Sequence, residues 1–143
     1  PITFTNKKYT TEVLNELVKL KIKLNITAIF TIEQIKEILP TVKNTNSILS
    51  VFAGRIFDCG QDANKIMKEI CSYVKTNSNC QVLWASSRMS YDYINAINCG
   101  AQIITMQLSQ IKKLKMFNKN LSDYSLETVK QFYNDAKESN YKL

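Results

Sequence analysis

Two residues stand apart because the rest of the sequence avoids their type. Of 19 basic residues, 17 are lysine, and only Arg55 and Arg88 are arginine. A guanidinium is planar and offers paired N–H donors, so it grips phosphate or carboxylate through two parallel hydrogen bonds where an ammonium acts as a point charge. A chain that uses lysine wherever positive charge suffices therefore marks these positions for anion recognition. Small polar groups lie ahead of them at even spacing: Asn25 and Thr27, Ser50 before Phe52, and Ser86 before Arg88. Together they could orient a hydroxyl-bearing, phosphorylated ligand.

What the chain lacks narrows the chemistry. It has no histidine, which excludes a Ser-His-Asp or Cys-His relay and the usual zinc ligand set. Its four cysteines, Cys59, Cys71, Cys80 and Cys99, form no CxxC pair and read as buried or incidental thiols. No cofactor and no metal is expected. Phosphate-binding chemistry through arginine and hydroxyls needs neither.

With 143 residues, 45% of them hydrophobic and 22% charged, the chain has the length and composition of one globular domain, residues 1–143. No apolar run approaches the roughly 18 residues of a membrane span. No secretory leader opens the sequence, so a cytoplasmic location without membrane partners is expected. The net charge of +7 raises the question of nucleic acid. Its lysines, however, are spread over all the predicted helices but the one from Ser90 to Asn98, without an aromatic-interleaved basic stripe, so a solvated surface is the preferred reading and no nucleic-acid partner is expected.

Periodicity supplies the elements that must position these groups. Thr10 to Leu20 carries Val13, Leu14, Leu17 and Val18 at helical spacing. Leu24 to Phe30 reads as a strand, and Thr31 with Gln34 forms a capping box that opens a helix to about Leu39, before Pro40. Ile48 to Ala53 is a second strand and Asp62 to Lys75 a helix with Ile66, Met67, Ile70 and Val74 on one face. Gln81 to Ala85 is a third strand. Ser90 is placed to cap a helix running to Asn98, ended by Gly100 in the left-handed conformation. Gln102 to Met106 forms a fourth strand, and helices follow over Leu108 to Met116 and Ser122 to Ala136.

Strand–helix alternation through short connections specifies an α/β fold with a parallel sheet. Length favours a complete open sheet; face alternation favours part of a (βα)8 barrel. With a period of two, Asn25 and Thr27 share a face opposite Leu24, Ile26, Ala28 and Phe30; Ser50 joins Phe52, and Trp84 joins Ser86. One polar face per strand suits a barrel, whose strands all turn one side to a common axis. Ligands of such folds sit at the carboxyl ends of the strands, where Arg55 and Arg88 follow, and a helix start after Arg88 would add amides to an anion site. Trp84, Tyr91 and Tyr93 read as core and helix packing. Asp58 could orient Arg55 or cap a turn, and Cys59 lies near the site without an evident activating group.

The segments NITAIF (Asn25–Phe30), SVFAGRIFDCG (Ser50–Gly60), VLWASSR (Val82–Arg88) and CGAQIIT (Cys99–Thr105) occur in the order and spacing of the C-terminal two-thirds of transaldolases, which this chain resembles. The resemblance implies a (βα)8 barrel, here its C-terminal part, about four βα units plus C-terminal helices. It implies an enzyme of the pentose phosphate pathway that moves a dihydroxyacetone unit between sugar phosphates through a lysine Schiff base, homo-oligomeric at full length. Carried onto this sequence, Asn25 would hydrogen-bond the intermediate and Thr27 help hold the catalytic water. Ser50, Arg55, Ser86 and Arg88 would bind substrate hydroxyls and phosphate. Phe52 matches transaldolase proper, where the related fructose-6-phosphate aldolases tend to have tyrosine. The family's Schiff-base lysine, usually two residues before a proline, and the acidic residues of its first and third strands have no counterpart between Pro1 and Leu143. Lys23 precedes its strand at the wrong end, and Lys43 falls in a polar loop. A fragment lacking the nucleophile is therefore expected, with unpaired edges at its first and last strands.

Overall fold

The computed structural model describes residues 1–139. Four parallel strands, β1 (Asn25–Ile29), β2 (Ile48–Val51), β3 (Gln81–Trp84) and β4 (Ile103–Ile104), pair in the spatial order β1-β2-β3-β4. A doubly wound sheet reverses its strand order at a switch point. This one never does, and each strand lies beside its sequence neighbour as in the wall of a (βα)8 barrel. Topology thus decides what length alone would have decided the other way. The helices of this part are α1 (Thr11–Lys19), α2 (Ile32–Val42), α3 (Ala53–Asp58), α4 (Ala63–Asn77), α5 (Asp92–Cys99) and α6 (Leu108–Lys113). Among them α1, α2, α4 and α5 pack in sequence, each against the next.

Local chemistry explains most boundaries. Thr31 Oγ1 accepts the Gln34 amide at 3.3 Å while Gln34 Oε1 accepts the Thr31 amide at 3.1 Å, the expected capping box of α2. Asp62 caps α4 through the amides of Asn64 and Lys65. Gly100 ends α5 at φ 84°, where a Cβ would be strained. Several boundaries differ from the sequence reading: the fourth strand, expected over Gln102 to Met106, is only Ile103–Ile104, and the helix expected over Leu108 to Met116 ends at Lys113 and gives way to a 3₁₀ turn. The helix α2 continues through Pro40 to Val42, because Ile38, Leu39 and Val42 bury on the sheet and the ladder resumes with Lys43 N–H to Leu39 O at 2.8 Å. The second strand stops at Val51, and the residues from Ala53 form α3, a six-residue helix too short for periodicity to reveal. Ser90 does not cap α5: its hydroxyl donates to the carbonyl of Gln110 at 3.0 Å, and Asp92 is the acceptor at this helix start.

The core is built from alternate strand residues, Leu49 and Val51 with Val82 and Trp84, packed against Ile35, Ile38, Met67, Ile70 and Val74 of the helices. Ser50 and Leu83 pair in register on the other face of the sheet. Trp84 therefore belongs to the helix side, 6.1 Å from the ring of Phe57, and does not share the polar face with Ser86. In β1 the period of two is broken. Ile26 pairs with Leu49 and Ile29 with Val51, so Thr27 and Ala28 together oppose the single residue Ser50, and Ala28 takes φ 61°. This bulge turns Ile29 to the same buried side as Ile26, which strict alternation places opposite Ile29. Nor is the outer edge of β1 bare: the Ile2 amide donates to the Thr27 carbonyl at 2.9 Å, with Ile2 itself buried.

The chain forms two compact units, Pro1–Ile111 and Lys112–Leu143. The second contains a 3₁₀ turn, Leu114–Met116, and α7 (Leu121–Glu138), which Asn120 caps through the amides of Ser122 and Asp123. The last four residues of the expected domain lie outside the described residues. Among the described residues no helix is long and apolar enough to cross a membrane.

Candidate functional site

The candidate residues fall at two depths of the polar sheet face. At the deeper level Ser50, only 3% exposed, donates its hydroxyl to Asn25 Oδ1 at 2.6 Å, tying β2 to β1. Asn25 is itself exposed and lines an apolar groove of about 490 Å³ between the N-terminal segment and α1. Thr27 is half-buried at the bulge, and its carbonyl is the one that Ile2 engages. Two residues along a strand rise about 7 Å, which sets Phe52 one level above Ser50 at the end of β2. There Phe52 stacks at 5.9 Å from Phe30 and carries the Arg55 guanidinium over its ring at 5.1 Å.

The upper level is assembled by close backbone contact. Gly54, the second residue of α3, donates its amide to Ala85 O at 3.4 Å and lies against the Ser86 carbonyl. Ser86 takes φ 62° as the chain leaves β3. This brings the loop of Arg88 beside α3, where the Arg88 guanidinium forms a side-on, two-point pair with Asp58: Nε lies 3.0 and 3.1 Å from the carboxylate oxygens, and Nη2 bonds Oδ2. The hydrogen bond from Arg88 chiefly holds the Asp58 carboxyl below the usual carboxylate range; burial opposes it, and the charges of Arg88 and, last, Arg55 add to the lowering. Asp58 thus serves Arg88, and acts on Arg55 only through its charge. Both arginines follow the carboxyl ends of their strands, Arg55 in α3 after β2 and Arg88 on the connection after β3.

Asp92 escaped the sequence reading. It is fully buried, and its Oδ2 accepts the amides of Arg88 at 2.7 Å and Met89 at 3.1 Å. A carboxylate four residues after an arginine and just inside a helix start is the signal that would have found it. Its presence also revises the expected anion site at the start of α5: the Arg88 and Met89 amides are already bonded to it, and the Asp92 and Tyr93 amides donate to Met89 O and Ser90 O. Tyr91 and Tyr93 are exposed rather than packed in the core. Beside Arg88 a polar cavity of about 340 Å³ is lined by Ser86, Ser87, Thr105, Gln107 and Gln110. Gln110 is buried and fastens this rim, donating to Ser87 O at 3.0 Å and accepting the Gln107 amide at 2.9 Å. Cys59 next to Asp58 is exposed, while the other three thiols are buried. Among the described residues no cluster of ligating side chains suits a metal ion.

A parallel sheet in unbroken sequential order, with two arginines and several hydroxyls following its strands, has the layout of part of a (βα)8 barrel. Comparison with known proteins agrees. The family model for transaldolase/fructose-6-phosphate aldolase matches residues 2–143, and the chain belongs to this family. A protein named "Probable transaldolase" from Methanococcus maripaludis strain C7 is 33% identical over 115 residues, covering 80% of this chain and 51% of its own length. Proteins of the same name from Shouchella clausii and Bacteroides thetaiotaomicron are 31% and 32% identical, over 79% and 83% of this chain and 55% and 51% of theirs. The chain spans about half the length of the curated relatives it matches.

Proposed function

We propose that the chain carries the sugar-phosphate-binding half of a transaldolase, which transfers a dihydroxyacetone unit from a ketose phosphate such as sedoheptulose 7-phosphate to glyceraldehyde 3-phosphate, giving erythrose 4-phosphate and fructose 6-phosphate. The observation that carries this reading is the placement of Arg55 and Arg88, the sequence's two arginines, on the connections that follow β2 and β3, with Arg88 paired to Asp58. In this reading the arginines and Ser86 receive the phosphate, and remote binding energy spent there orients the reacting carbons. Asn25 and Ser50, already hydrogen-bonded, contact the sugar hydroxyls and the intermediate, Thr27 holds the water that relays protons, and Phe52 walls the site. A lysine carried by a strand ahead of Pro1 supplies the Schiff base, the electron sink for carbon–carbon cleavage. Within the chain Lys23 enters β1 at the end opposite the arginines, which supports an outside source. The working protein is read as cytoplasmic and homo-oligomeric. A fructose-6-phosphate aldolase is the second reading; Phe52 argues against it.

The test is borohydride trapping with fructose 6-phosphate. The 143-residue chain is expected to form no adduct, and a chain extended by the lysine-bearing strand to form one and to transfer the three-carbon unit to an aldose phosphate. An adduct on the short chain would refute the assignment of the lysine. Turnover without any acceptor would favour the aldolase.

A further inference from the structure

We propose that Asp58 is a positioning residue that sets Arg88 for its phosphate, an inference that rests on the sugar-phosphate reading of this site. The carboxylate takes Nε and Nη2 of Arg88, the side of the guanidinium nearest its own chain, and leaves Nη1 outside the pair. A guanidinium held side-on in this way has its plane fixed and still offers its far end to an anion. The same carboxylate lies within the field of Arg55, which the Phe52 ring holds from beneath. Two guanidiniums on neighbouring connections repel each other, and a carboxylate bonded to one of them offsets part of that charge before any ligand arrives. Backbone contact fixes where Asp58 stands: it closes α3, the short helix that Gly54 seats against Ser86.

A carboxylate in an anion site also repels the ligand, so the two effects have opposite signs. The side chains of Arg88 and Asp58 are 47% and 48% exposed, and at such sites solvent screens charge–charge effects to small values. Immobilising a long arginine, by contrast, must be repeated at each binding event unless another group has already done it. Positioning is therefore the larger effect, and removing the carboxylate weakens phosphate binding.

The experiment compares the full chain with Asp58→Asn and Asp58→Glu, titrating fructose 6-phosphate, inorganic phosphate and unphosphorylated fructose by calorimetry. With two arginines in the chain, the arginine Nε–H region of a nitrogen-resolved NMR spectrum holds two signals. The Arg88 signal in the original chain is expected to exchange slowly with solvent. Asp58→Asn should abolish that protection and weaken both phosphates by about tenfold, the scale of freeing one long side chain. Fructose affinity and melting temperature should be unchanged, and Asp58→Glu should recover part of the loss. Equal or tighter phosphate binding by Asp58→Asn overturns the proposal, as does an unchanged Arg88 signal. If the original chain binds inorganic phosphate but not fructose 6-phosphate, the sugar reading fails while the Asp58 comparison is still decided on phosphate. Binding of neither overturns both.

Discussion

Gly54 and Ser86 lie back to back: a Cβ built on Gly54 would overlap the Ser86 carbonyl oxygen and stand 3.1 Å from Cγ of Arg88. The obstacle is backbone, which cannot swing aside as a flexible side chain can. The first residues of α3 and the chain leaving β3 are therefore held in register by the absence of one carbon. Gly54→Ala is expected to force the two connections apart, costing about 1–3 kcal/mol, the usual range for overpacking. Urea unfolding followed by the fluorescence of Trp84, the single tryptophan, checks this. Phosphate affinity should fall in the same variant; an alanine chain with unchanged stability would show that the contact is slack.

The buried Asp92 makes a second, independent demand on the Arg88 loop. Its carboxylate accepts two loop amides, and Asn95 Nδ2 donates to its other oxygen at 3.2 Å. Asp92→Ala removes the charged acceptor of both amides and should cost about 1.5–3 kcal/mol, the usual worth of a hydrogen bond to a charged group. Asp92→Asn retains one acceptor and should lose less. Hydrogen exchange at the Arg88 and Met89 amides is the direct readout: both should be protected in the original chain and exposed in Asp92→Ala.

The thiols predict a pH dependence. Burial, with the neighbouring Cys99 adding to it, pushes the Cys71 thiol up to about 12, and burial also raises Cys80 and Cys99. The unfolded chain ionises these groups near 9.0 and the folded chain holds them protonated. Above that pH the unfolded state binds fewer protons, so stability is full below it and declines as pH rises towards 12. Cys71→Ala should flatten the decline in alkaline urea melts; an identical slope would assign it to other groups. At neutral pH maleimide should label Cys59 first, since the other three sulfurs are buried.

Sequence patterns revealed features whose cause is local. The Thr31–Gln34 box and the left-handed Gly100 are written into a few adjacent residues, and the order of strands and helices follows from periodicity. The features they hid depend on distant partners. Pro40 stays helical because Val42 beyond it has a buried place on the sheet. Ala28 bulges because two residues of β1 must face one of β2, and no single-strand pattern encodes that count. Residue 54 must be glycine because Ser86, on a distant part of the chain, leaves no room for a Cβ. Asp58 looked ambiguous for the same reason: its partner lies thirty positions away. In the candidate site the residue types were legible one by one, while the pairings Ser50–Asn25 and Arg88–Asp58 and the supporting Asp92 emerge only from the folded chain.

Because the strands never reverse their order, each βα step leans chiefly on the step before and the step after. The wall grows like a row of slats. Assembly can then proceed as a travelling front without bringing distant stretches together first, which shortens the search that usually makes parallel sheets slow to form. It also means that trimming from the β4 end should remove slats one at a time and leave β1 and β2 standing, whereas a cut inside β2 would split the row in two.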